Sequence, residues 1–194
     1  MGFPKNLDGI ELYITLQAQR EIGVQILFAL AAFDNLTKKG EGNVITTFLS
    51  IHSFLTHCAN ISKLLYSPKR RRNKIVKDAV DKTLAELIET PDSPHLKDRS
   101  FRDDLDHYDE RLIGWIEEEY PKHKNKNPSR RPVSDLTIGD KDQKGGRDAL
   151  HLRNYNPDSK TYTFGDRDLN LEELHQEILI LQKFIGSPKV EATQ

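Results

Sequence analysis

Apolar positions fall into five stretches with helical spacing and one that alternates, and polar punctuation sets the boundaries between them. From about Asp8 to Lys38 the spacing predicts one long helix, apolar nearly all round in its second half. Lys38 and Lys39 suit its negative end, and Gly40 and Gly42 supply the left-handed stop. A second helix over Val44 to Tyr66 carries Phe48, Ile51, Leu55, Cys58, Ser62 and Leu65 on one stripe. Ser67 and Pro68 then form an N-cap and first helical residue, so a third helix is expected from Lys69 to about Glu89. Pro91 and Pro94 end it, and a fourth runs from about Leu96 to Tyr120 with Phe101, Leu105, Tyr108, Leu112, Trp115 and Ile116 on one face.

The pattern then breaks. Pro121 to Arg147 is basic and rich in Pro and Gly with few apolar residues, which predicts a polar, flexible insertion over 121–148. Ala149 to Tyr155 and Thr161 to Phe164 alternate around Asn156-Pro157-Asp158-Ser159 and predict a small hairpin that needs a helix surface to lie on. Asn170 and Glu173 make a capping-box pattern, opening a last helix whose stripe is Leu171, Leu174, Ile178, Leu181 and Ile185. The expected fold is mainly α, an up-and-down helical bundle of four to five helices over 1–120, with the hairpin and last helix (149–186) packed on it as one domain. Residues 187–194 are expected to be a disordered tail.

Composition narrows the function. Hydrophobic residues are 36% and charged residues 30%, the balance of a packed domain with long solvated faces. With 29 basic and 30 acidic residues the net charge is −1, so any nucleic-acid site must be local. The one cysteine, Cys58, excludes an internal disulfide and fits a reducing, cytoplasmic setting. Met1 to Asp8 lacks the pattern of a signal peptide, and the apolar run Ile22 to Phe33 is short of the roughly 20 residues that cross a bilayer, so no membrane partner is expected.

The most arranged chemistry lies on the fourth helix, in Arg102-Asp103-Asp104-Leu105-Asp106-His107. Arg102 and His107 are five apart and point about 140° from one another on a helix, so one helix cannot bring them to one atom. His107 points away from the apolar face. An Arg, a polar neighbour and a His a few positions on, late in a helical bundle, resembles the signature of the HEPN superfamily of RNases and toxin-type proteins. That resemblance rests on the motif alone. It implies a homodimer in which two motifs face one cleft, an RNA substrate, and an antitoxin partner protein.

The implied reaction is metal-independent and needs no cofactor: the ribose 2′-hydroxyl attacks the adjacent phosphate. His107 would move protons, because imidazole titrates near neutrality. Arg102 would bind the phosphate and its growing charge, and Asp103 would orient the imidazole. The surrounding Asp98, Asp104, Asp106, Asp109 and Glu110 repel RNA, so positive charge must come from elsewhere. Arg70, Arg71, Arg72 and Lys74 are the candidate nucleic-acid-binding residues, with the loop from Lys122 to Arg131 a second source.

Other arrangements are weaker. Asp104-x-x-His107 and Glu172-x-x-His175 resemble the carboxylate and His pairs of di-iron bundles, but Glu172 lies about 140° from the centre of its helix's apolar stripe and His107 on an outer face, and no metal is expected. His52 and His57 are also five apart, and His57 is expected to face outward. Cys58 sits in mid-stripe, which favours a small buried hydrophobe over a nucleophile. The competing function is a non-catalytic helical interaction or dimerisation protein using the same charged face; a metal-binding bundle enzyme is the third.

Overall fold

The computed structural model describes residues 9–38, 43–66, 93–98, 100–124, 136–140 and 152–185. The predicted third helix, with Arg70, Arg71, Arg72 and Lys74, and the tail after Ser187 lie outside them. The described chain is mainly helical, with a small four-stranded mixed sheet.

Helix α1 (Gly9–Thr37) buries Ile22, Ile26, Ala29 and Phe33, a stripe at spacings of three and four. Helix α2 (Val44–Tyr66) starts at Asn43, whose side-chain oxygen accepts the Thr46 backbone N–H at 3.0 Å. All six residues of its predicted stripe are buried, and Phe54 and Ile61 join them. The two helices run antiparallel: Phe33 meets Phe54 at 5.2 Å between ring centres, while Gln25 reaches His57 and Asn60 farther along α2. By length and composition α2 alone among the described helices would pass for a membrane span. Its buried stripe packs into the protein core.

The predicted fourth helix is three pieces: α3 (Pro94–Lys97), α4 (Ser100–Asp106) and α5 (Tyr108–Lys124). The first break has a local cause. The Asp98 carboxylate accepts the Ser100 backbone N–H at 2.8 Å, a side-chain turn that competes with helical bonding. The second is a single turn residue, His107, bridged by helical bonds from His107 N to Asp103 O and from Arg111 N to His107 O, both 3.0 Å. Helix α5 continues through Pro121 to Lys124, three residues past the proline expected to follow its end. Leu105, Tyr108, Leu112 and Trp115 pack against the core as expected, whereas Ile116 is exposed.

Strand β1 (Leu136–Ile138) lies inside the stretch expected to be a structureless insertion and pairs parallel to β2 (Arg153–Asn156). The predicted hairpin is β2 with β3 (Thr161–Phe164), and β4 (Arg167–Asn170) adds a further antiparallel strand. Between β3 and β4, Gly165 has φ 61, a left-handed conformation that costs other residues a clash at Cβ. Asn170 closes the sheet and opens α6 (Leu171–Ile185): its side-chain oxygen accepts the Glu173 N–H at 3.2 Å and its amide donates to the Glu173 carboxylate at 3.3 Å.

The register sorts the sheet into two faces. The row Ile138, Tyr155, Tyr162, Leu169 and the row Leu136, Arg153, Phe164, Arg167 share one face; Thr137, Asn154, Thr163 and Asp168 form a row on the other. Tyr155, Tyr162, Phe164 and Leu169 pack into the same core as the helices. Thus β2 and β4 carry Arg153 and Arg167 towards the helical side, where α4 and α5 lie.

Candidate functional site

Asp104 lies within the apolar stripe of α4 and α5, three residues after Phe101 and four before Tyr108, so the helix carries a carboxylate where it buries side chains. It is 1% exposed. An ionised carboxylate there requires opposite charge. Two arginines provide it: Arg111 Nε stands 3.0 Å from one oxygen, one turn beyond the His107 junction, and Arg167 from β4 meets the other. Both contacts are charge pairs rather than aligned hydrogen bonds.

The same carboxylate therefore holds two cations at the surface. The Arg111 side chain is 52% exposed and that of Arg167 36%. Beside them, the Arg153 guanidinium lies over the Tyr108 ring at 4.6 Å and approaches His52 Nε2 at 3.5 Å. Phe164 meets the other part of that ring edge-on at 6.1 Å between centres. Arginine and aromatic groups from α2, α5, β2, β3 and β4 thus share one region next to the motif.

The motif residues are placed as follows. His107 is 57% exposed at the α4–α5 junction, with Nδ1 3.4 Å from the Glu110 carboxylate. Asp103 is half-buried on α4. Arg102 lies on the same helix one turn before Asp106, whose carboxylate pairs with Lys63 of α2 at 2.9 Å. The acidic helix is therefore partly neutralised by Lys63, Arg111 and Arg167, none of which the sequence pattern singled out.

A second polar centre joins α3 to α6. Glu177, buried in the α6 stripe, accepts the backbone N–H groups of His95 at 3.1 Å and Leu96 at 2.9 Å. Its Oε1 also lies 2.7 Å from His95 Nδ1, and Glu173 faces His95 Nε2 at 3.1 Å. Sequence periodicity marks it too: residue 177 lies three after Leu174 and four before Leu181, on the stripe itself.

The remaining candidates have structural roles. Glu172 faces Lys160 at 2.5 Å and accepts from Gln176 at 2.8 Å, and those bonds hold its carboxyl down at about 2. His175 stacks on Phe33 with ring centres 3.9 Å apart. Asp104 and Glu172 are thus each committed to cations, and no group of three His, Cys, Asp or Glu side chains among the described residues is arranged to hold a metal. His57 does not face outward as expected: its Nδ1 lies 2.7 Å from Gln25 Oε1 and its ring 5.1 Å from Phe28, and burial lowers its pKa. Burial, then the nearby Glu177 charge, pushes the Cys58 thiol well up, so it is no activated nucleophile.

No family model, curated protein or solved structure matches this chain.

Proposed function

We propose that the chain is an HEPN-like, metal-independent endoribonuclease of the toxin type, working as a homodimer through Arg102, Asp103 and His107. The observation that carries this reading is the exposed His107 imidazole one turn from Arg111, which with Arg167 and Arg153 sets cationic side chains beside an otherwise acidic helix. In this mechanism His107 relays protons between the 2′-hydroxyl and the leaving oxygen, and Arg102 of one or both protomers binds the phosphate as charge develops on it. Arg111, Arg153 and Arg167 bind flanking phosphates, with Arg70, Arg71, Arg72 and Lys74 a further source of positive charge.

Purified protein should cleave RNA in EDTA, and His107→Ala should reduce the rate by about 100-fold or more, the usual range for losing a proton-transfer group, with Arg102→Ala costing about 100-fold through lost charge stabilisation. Cleavage undiminished in both variants removes the motif from the reaction.

A second reading has its own support. Ile113 and Ile116 of α5 are exposed, and Phe28, Ile45 and Leu49 expose apolar surface on α1 and α2. A non-catalytic interaction or dimerisation protein would use these faces, with an antitoxin-like partner or a second copy. In that case Ile113→Asp shifts the oligomeric state in light scattering, and wild-type protein cleaves no RNA.

A further inference from the structure

The geometry points to a binding site for a small organic cation, an amine on a short apolar stem ending in a neutral hydroxyl, between α2, α3, β4 and α6. A cavity of about 30 Å³, walled by Leu55, Leu96, Leu169 and Leu174, contains the side chain of Ser62. Ser62 is 3% exposed, and its hydroxyl has no hydrogen-bond partner among the described residues. A buried hydroxyl left unpaired costs about 1–3 kcal/mol, so the position favours a ligand or water that satisfies it. The volume suffices for a group the size of water, which needs at least about 10–15 Å³.

This cavity shares His95, Asp98 and Leu169 with a wider groove of about 470 Å³, whose rim adds Asp168, Asn170 and Glu173. That volume is within the range of small-molecule sites, roughly 300–1,000 Å³. Three carboxylates line the rim, and no Lys or Arg does among the described residues. The imidazole there already faces two carboxylates, Glu173 and Glu177. The charge therefore suits an ammonium at the rim and disfavours a carboxylate or phosphate. Away from His95 and Asp98, which line both the cavity and the groove, the inner wall is Leu55, Ala59, Leu96, Leu169 and Leu174 around Ser62 and Cys58, so a second charge is costly beside Ser62 and a neutral hydroxyl fits. The site is independent of the motif: it lies on α3 and α6 and uses none of Arg102, Asp103 or His107.

Calorimetric titration of the full chain with aminobutanol tests this, with butylamine and butyrate as comparisons. Aminobutanol should bind saturably, one per chain, more tightly than butylamine; butyrate should not bind. Asp98→Asn and Glu173→Gln should each weaken both amines by about tenfold, the effect of losing a charged hydrogen bond. Ser62→Ala should weaken aminobutanol alone. Absence of saturable amine binding overturns the proposal, as does equal affinity in the two carboxylate variants. An equal effect of Ser62→Ala on both amines overturns the hydroxyl's role. Should a variant fail to fold, amide shifts of the wild-type chain decide: changes at His95, Asp98 and Leu169 on adding aminobutanol support the site, and changes confined elsewhere overturn it.

Discussion

Asp104 and Glu177 are both carboxylates almost lost to solvent on apolar helical stripes, yet their partners differ in kind. Glu177 accepts two backbone N–H groups at the start of α3 and faces a histidine ring, so its partners are fixed by the fold. Asp104 holds two arginine side chains whose other ends lie at the surface. A carboxylate paired with backbone fastens one element to another. A carboxylate paired with long cations also displays those cations to whatever approaches, and this is why the Asp104 region, rather than the Glu177 region, supports the RNA-binding reading.

Leucine at each position breaks the comparison most sharply. Glu177→Leu strands two amide donors and an imidazole in a region the protein buries, and should cost about 3–5 kcal/mol in urea unfolding. Asp104→Leu should lie within about 1 kcal/mol of wild type, because Arg111 and Arg167 are exposed enough to rehydrate and an apolar residue suits the stripe. Equal losses at the two positions would show that Asp104 is as structural as Glu177.

Helical spacing puts both carboxylates on a hydrophobic stripe, Asp104 between Phe101 and Tyr108 and Glu177 between Leu174 and Leu181, but neither is among the stripe residues expected from the sequence, and the spacing alone does not reveal their partners. Arg111 is seven residues from Asp104, within sight of helical spacing, but Arg167 arrives through β4, a four-residue strand fixed by cross-strand pairing with β3. Strands β1 and β4 carry too few alternating residues to stand out locally, and β1 is defined by a parallel neighbour more than ten residues away. By contrast, the α2 and α6 stripes were readable because helical burial repeats along one segment. Basic runs are where a sequence displays positive charge, whereas beside the motif the described structure gathers arginines isolated in sequence.

At the arginine surface the expected effect is smaller and appears in binding. Arg111→Ala and Arg167→Ala should each weaken single-stranded RNA binding and reduce the slope of log affinity against log salt by about 0.7, the value for one phosphate contact. Fluorescence anisotropy across a salt series measures this. The Glu177 region provides the control: Glu173→Gln, on the α3–α6 side, should leave the slope unchanged. A slope indifferent to both arginines would reduce the Asp104 cluster to a structural ion pair.

The smallest effect comes from a carboxylate of a third kind, Glu172, paired with a lysine at the surface. Its folded pKa of about 2 lies below the ordinary 4.5, so the pair stabilises the protein fully above about pH 4.5 and ceases to do so as pH falls through about 2. Its side chain is 34% exposed, and solvent screening limits the contribution to about 0.5–1 kcal/mol. Glu172→Gln should therefore lower stability by that amount at neutral pH and converge with wild type in acid. Urea unfolding from pH 7 down to pH 2 reads the difference directly. A gap that persists undiminished at pH 2 would assign the loss to packing of Lys160 over Phe33, 5.9 Å from the ring centre, rather than to the carboxylate's charge.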